Sequence, residues 1–139
     1  MAISFHSEGI KFQLSQKRKH KHWISQYIRH HQKLPGTIAF IFTSSEHLRR
    51  INREFLQHNH FTDVISFDYS EKRIISGDIF ISVEQVRENA ATYAVEFEEE
   101  LRRVMIHGIL HLMGFEDREQ KERQQMRKLE DEALFLWNE

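Results

Sequence analysis

The sequence predicts an α+β fold: one small mixed sheet of four strands packed with about five helices, the helix that carries a candidate metal site lying near the C-terminus. Three observations lead there. Strand-like and helix-like segments alternate at the start, the pattern of a strand–helix–strand unit with parallel strands. Two strand-sized segments then follow close together, as in a hairpin, and everything from Glu84 onward has helical spacing. No internal repeat, low-complexity tract or Pro/Gly/Ser linker interrupts this order, so residues 1–139 read as a single domain, long enough for a hydrophobic core of its own.

The elements follow from local pattern. Ile3 to Phe5 is a short strand, and Ser15 to His31 is a basic helix with Trp23, Tyr27 and Ile28 on its buried side. The single proline, Pro35, marks a turn with Gly36, and Thr37 to Phe42 is the next strand. Ser44 or Ser45 caps a helix whose apolar positions Leu48, Ile51, Phe55 and Leu56 keep helical spacing. Strands return at Val64 to Tyr69 and Asp78 to Val83, joined by a polar connection through Glu71 to Gly77. Three helices close the chain: Glu84 to Tyr93, Glu96 or Phe97 to Met113, and Arg118 to Trp137. Glu96, Glu98, Glu99 and Glu100 stand in the first turn of the second of these, where acidic groups favour the helix dipole, and are read as structural.

Composition excludes several classes of function. The longest apolar stretches, such as Ile38 to Phe42, are strand-sized, short of the roughly 20 residues a membrane-spanning helix needs. The first residues carry neither the basic nor the apolar region of a secretory signal. With 29% charged residues and no cysteine, a cytoplasmic protein is expected, and any transition metal must be held by nitrogen and oxygen. The formal net charge of -1 hides an asymmetry: between Lys11 and Ser45 there are seven Lys and Arg and no Asp or Glu.

The strongest chemical signal is His107 to Asp117, HGILHLMGFED. Two histidines four apart project from nearly the same face of a helix of about 3.6 residues per turn. Gly114 offers a left-handed helix stop that lets the chain return and present Asp117 to the same point. His107, His111 and Asp117 are therefore candidate ligands of one metal ion. A His-x-x-x-His pair alone carries little weight with ten histidines in the chain, but the glycine and the acidic residue at fixed spacing make it far more specific. The competing reading is an apolar helix with two core histidines, a glycine cap and a solvated acidic turn. A structural zinc would want four protein ligands; three plus a water is the arrangement of a catalytic site, in which bound water is acidified and can attack a phosphate or carbonyl. The spacing matches the long zinc motif of metzincin proteases except at one residue. Gly108 stands where those enzymes carry the glutamate general base, which argues against peptidase activity.

This stretch resembles the HGxLHLxGYDH pattern of the YbeY endoribonucleases, also called rRNA maturation factors. Asn52 followed by Phe55, then Thr62-Asp63-Val64-Ile65-Ser66-Phe67, resembles the family's asparagine helix and TDVLSF strand, and Gly77-Asp78-Ile79 resembles its GDI strand. The three motifs stand in the family's order and spacing over most of the chain. The resemblance implies a cytoplasmic single-strand endoribonuclease acting in rRNA processing and ribosome maturation, with one divalent metal ion per chain, zinc, and a metal-bound water that attacks the phosphodiester. It also implies ribosomal RNA and the small ribosomal subunit as partners, with a ribosomal protein and an assembly GTPase as further contacts.

Two departures from the family pattern stand out. Its third ligand is usually histidine, where this chain has Asp117; a carboxylate lowers the charge of the metal centre, should make its water less acidic, and suits a harder metal. Glu116 is the neighbouring alternative. Family members also commonly carry an arginine four residues after the asparagine, where this chain has Leu56; Arg53, three residues earlier on the same helix, is the candidate to reach that space.

The run Lys17, Arg18, Lys19, His20, Lys21 and His22, supported by Arg49, Arg50 and Arg53, is either a phosphate-contacting face or a solvated helix surface. Trp23 and Tyr27 are expected in the core rather than as stacking platforms for bases. His58 and His60 flank Asn59 as turn residues or as neighbours of the site, and Asp63 and Asp78 either orient ligands or serve as caps and strand ends. The leading reading is a metal-dependent RNA hydrolase. A non-enzymatic assembly factor with a structural metal, to which Leu56 lends some support, and a metallohydrolase acting on another substrate are the alternatives.

Overall fold

A computed structural model of the chain describes residues 2–56 and 62–138; His58 and His60 lie outside the described residues. The element order is β1 (Ile3–Ser7), α1 (Lys17–His30), β2 (Leu34–Thr43), α2 (Ser45–Leu56), β3 (Val64–Asp68), β4 (Ile74–Ser82), α3 (Val83–Tyr93), α4 (Phe97–Leu112) and α5 (Gln120–Trp137). These form the α+β architecture expected, a four-stranded sheet in the order β1-β2-β4-β3. β1 and β4 pair parallel to β2, and β3 pairs antiparallel to β4 as the hairpin partner. Parallel neighbours need a crossover, which α1 supplies between β1 and β2 and the α2–β3 segment between β2 and β4.

Alternation along the strands sorts side chains to two faces. Ile38, Phe40, Phe42, Ile75, Ile79 and Ile81 turn to one face, where α1, α3, α4 and α5 close the main core. Ile65, Phe67 and Phe80 turn to the other, where α2 covers them with Leu48 and Ile51. α5 is clamped to α1 by buried polar side chains: Trp23 Nε1 donates to the Ala133 carbonyl at 2.7 Å and the Tyr27 hydroxyl to the Leu129 carbonyl at 2.9 Å. Both rings are core residues, as expected. Among the described residues no helix is long and apolar enough to cross a membrane.

The structure corrects three expectations. Pro35 and Gly36 belong to β2 rather than to a turn; the register shifts between Pro35 and Ile38, a bulge that tolerates a residue without an N–H. β4 begins at Ile74, because Leu34 and Pro35 provide partners for Ile74 and Ile75 that the local pattern does not reveal. Phe55 and Leu56 are exposed, since α2 runs past the apolar strip it covers; Phe55 meets the Phe67 ring edge-on at 6.1 Å between centroids.

Candidate metal centre

α4 lies on β3 and β4 and comes close to the sheet at Gly108. A Cβ there would stand 2.7 Å from Ile79 Cγ2 and 3.2 Å from Ser66 Oγ, and the Ser66 hydroxyl donates to the Gly108 carbonyl at 3.3 Å. Position 108 therefore points into the sheet. No larger side chain fits, so the residue that replaces the protease base also has no room to act as one.

The helix stops as the sequence suggests. Gly114 has φ 97, its N–H donates to the His111 carbonyl at 3.0 Å, and the Phe115 N–H donates to the Leu110 carbonyl at 3.0 Å. This pair of bonds is a Schellman stop, and it returns the chain toward the histidines. Asp117 then stands with Oδ2 3.2 Å from His107 Nε2 and Oδ1 3.6 Å from His111 Nε2, while the two Nε2 atoms are 3.0 Å apart. Glu116 turns away to Arg118, 3.2 Å distant.

The orientation of the imidazoles is set from behind. His107 Nδ1 lies 2.7 Å from Glu130 Oε2 and donates to it, and His111 Nδ1 donates to the Phe115 carbonyl at 3.0 Å. With both Nδ1 protons committed, the neutral rings present two Nε2 lone pairs and a carboxylate to one point, three acceptors with no donor among them. Such a group calls for a cation. Ligands about 2.0–2.1 Å from a tetrahedral centre lie about 3.3 Å from one another, close to the separations here. The residues present fit a divalent ion.

Glu130 is the functional residue that sequence reasoning missed. Its side chain is 7% exposed and also accepts from Arg103 Nη1 at 3.0 Å, while Arg103 Nη2 reaches Asp131 at 2.7 Å. The signal was present in α5, whose buried positions are Met126, Glu130, Ala133 and Trp137: a carboxylate interrupts a stripe of helical spacing. Glu100 stands in the first turn of α4, as expected, but it is also buried and lines the cavity beside the ligands.

That cavity, about 270 Å³, is bounded by Asp63, Tyr93, Glu100, Arg103, His107 and Asp117 among others, with Arg127 also on its wall. Burial raises the Asp63 carboxyl above its usual range, against the opposing pull of His107 and of the Asn89 amide that donates to it at 3.0 Å. Burial pulls the His107 pKa down, but the bond to Glu130 and the charges of Glu130, Asp117 and Asp63 outweigh it, and the net shift is upward. His111 is lowered, by burial first and then by His107. Asp78 faces the side of the sheet that bears α2, next to Phe67 in register, and takes no part in the cavity.

The basic residues are not gathered at this point. α2 with Arg49, Arg50 and Arg53 covers the other face of the sheet. At the start of α1, Lys19 sits over the Trp137 ring at 4.1 Å, whereas the His31 ring just past its end lies 6.0 Å from Phe115. Twelve residues of helix separate those two contacts, about 18 Å, so Lys17, Arg18 and Lys19 stand far from the ligands.

An α+β domain with a His-His-Asp cluster at the end of a buried helix defines a class of fold with a candidate metal centre. Comparison with known proteins narrows it: the model of the family endoribonuclease YbeY matches residues 2–138, and the chain belongs to that family. It is 44% identical over 136 residues to the endoribonuclease YbeY of Christiangramia forsetii, covering 98% of this chain and 94% of that protein. It is 45% identical to that of Bacteroides fragilis, with 98% of each covered. The solution structure of TM1509 from Thermotoga maritima superposes with a TM-score of 0.68 at 25% identity, over 98% of this chain and 89% of that one.

Proposed function

We propose that the chain is a metal-dependent endoribonuclease that cleaves single-stranded RNA during rRNA processing, with one zinc ion held by His107 Nε2, His111 Nε2 and the Asp117 carboxylate. The observation that carries this reading is the convergence of three acceptor atoms, all within 4.8 Å of one another, with both Nδ1 protons directed elsewhere. When bound, the ion supplies Lewis acidity that activates water and offsets charge developing on the phosphate. The protein does the rest. Glu130 and the Phe115 carbonyl fix the rings, Arg103 holds Glu130 in place, and Arg127, exposed on the cavity wall, is suited to a phosphate oxygen.

Position 108 leaves no room for a base where the metzincin proteases carry theirs. Asp63 contributes negative charge beside His107 and anchors α3 through Asn89. Arg53 remains the candidate for the family's arginine at the position of Leu56, and Lys17, Arg18, Lys19, Lys21, Arg49 and Arg50 are candidate contacts to more distant phosphates. Family membership supports a cytoplasmic role at the small ribosomal subunit, with contacts to a ribosomal protein and an assembly GTPase. The test is cleavage of a labelled single-stranded RNA. Chelation or His111→Ala should abolish cleavage while RNA binding persists; cleavage at the wild-type rate in folded His111→Ala would contradict the reading.

A further inference from the structure

One open space on this molecule lies away from the metal ligands. A groove of about 480 Å³ runs between the outer side of α1 and the starts of β1 and β2, lined by Lys21, His22, Ser25 and Arg29 against Ala2, Ile3, Pro35 and Gly36. It continues past Arg29 into a second hollow of about 430 Å³, lined by Arg29, Gln32, Lys33, Leu34 and Arg73. Arg29 is common to both. Four full cations and a histidine line this path and no carboxylate does, in a chain whose acidic and basic residues nearly balance. Among the described residues none of Lys21, Arg29, Lys33 and Arg73 is ion-paired to a carboxylate. Surface cations left unpaired along one groove are an electrostatic footprint for a polyanion.

The lower end of the groove is also tied to the metal centre by contacts through the fold. Its lower wall is held by Arg73, whose guanidinium donates to the Gln32 carbonyl from Nε at 3.1 Å and Nη2 at 2.9 Å, tying the β3–β4 turn to the α1–β2 turn. The β3–β4 turn is bound in turn to the end of α4 through the Ser70 hydroxyl, which lies 3.4 Å from the Leu112 carbonyl. From the α1 side, His31 meets Phe115, whose carbonyl orients His111. The lower end of the groove and the end of the ligand-bearing helix thus share one end of the fold.

We infer that this groove is a second binding site for the phosphate backbone of single-stranded RNA, holding the strand at a distance from the scissile bond. Lys21 and Arg29 are eight residues apart on one helix, about 12 Å, a span that suits successive phosphates rather than one anion. Contacts from these cations to phosphates carry no sequence information, so the binding they supply is sequence-independent and strongly salt-dependent. This inference rests on the RNA substrate proposed above, and it explains why the cations cluster away from a cavity whose own walls carry several carboxylates.

The test uses the full chain with His111→Ala, so that bound RNA is not cut, and the same chain with Lys21→Gln, Arg29→Gln and Lys33→Gln added. Arg73 is kept because it also secures a turn. A single-stranded RNA of about twenty nucleotides is titrated at several salt concentrations. For single strands the slope of log K against log salt is about -0.7 per phosphate neutralised, so the triple change should make it shallower by about 2. Unfolding midpoints of the two proteins, compared in parallel, exclude loss of fold; if the triple variant is unstable, Lys21→Gln with Arg29→Gln should reduce the slope by about 1.4. An unchanged slope with folded protein overturns the groove and leaves the RNA substrate standing. Absence of RNA binding by His111→Ala itself overturns both. A loss of binding seen equally with an acidic peptide of matched charge would assign the groove to a protein partner and overturn the inference.

Discussion

The bond between Glu130 and His107 offers the sharpest quantitative expectation. Glu130→Gln keeps the shape of the side chain and an acceptor for the His107 Nδ1–H, but removes the charge and the ion pair with Arg103. Glu130→Ala removes the acceptor as well and leaves a buried imidazole N–H without a partner. Outer partners of metal-binding histidines typically contribute about 10- to 100-fold in affinity, or roughly 1.4–2.7 kcal/mol. The glutamine variant should fall near the lower bound and the alanine variant near the upper, because the unpaired donor adds its own desolvation cost. Competition with a chromophoric chelator at fixed pH gives the dissociation constant, and the metal-free unfolding midpoint separates loss of fold from loss of affinity. If both variants remain folded and hold zinc within twofold of the unchanged protein, Glu130 does not orient His107 for metal binding and that reasoning fails.

Other expectations follow from single contacts. Gly108→Ala should destabilise by about 1–3 kcal/mol, because the new methyl meets Ile79 and Ser66; an unfolding free energy within error of the original in urea would show that α4 does not press on the sheet as described. His20 is buried against Trp23 and Trp137, and its pKa is lowered, first by burial. The unfolded chain then binds the extra proton more readily, so stability present above about pH 6.5 declines as pH falls toward the folded value. His20→Leu should flatten that slope, measured as unfolding free energy between pH 7 and 5, and an equally steep slope would clear His20 of responsibility. Asp117→His should shift the rising limb of the pH–rate profile for RNA cleavage to lower pH, since a neutral ligand leaves more charge on the metal centre; a shift to higher pH would contradict the argument.

The three candidate ligands were legible as a group because their relation is local. His107 and His111 are one helical turn apart, and Gly114 specifies the stop that returns Asp117. What holds them was not legible in the same way, because Glu130 and Arg103 reach the site from 23 and 27 residues apart in contact pairs fixed by helix packing. A buried stripe containing one carboxylate is the trace that packing leaves in sequence, and both Glu130 on α5 and Glu100 on α4 show it. Strand limits suffered for a related reason. Ile74 and Ile75 become strand only because the first residues of β2 lie beside them, and local alternation cannot report a neighbour from 40 residues away. The basic run on α1 was visible as charge, but its direction was not: the helix carries Lys19 onto the Trp137 ring and leaves Lys21 and Arg29 facing the groove.

The central claim is that His107, His111 and Asp117 form one metal site. Elemental analysis of protein purified without added metal tests it most directly, on the unchanged chain and on His111→Ala and Asp117→Ala, each shown to be folded. The account predicts close to one zinc per chain in the first and almost none in the two variants; a stoichiometric ion that survives both substitutions would contradict it.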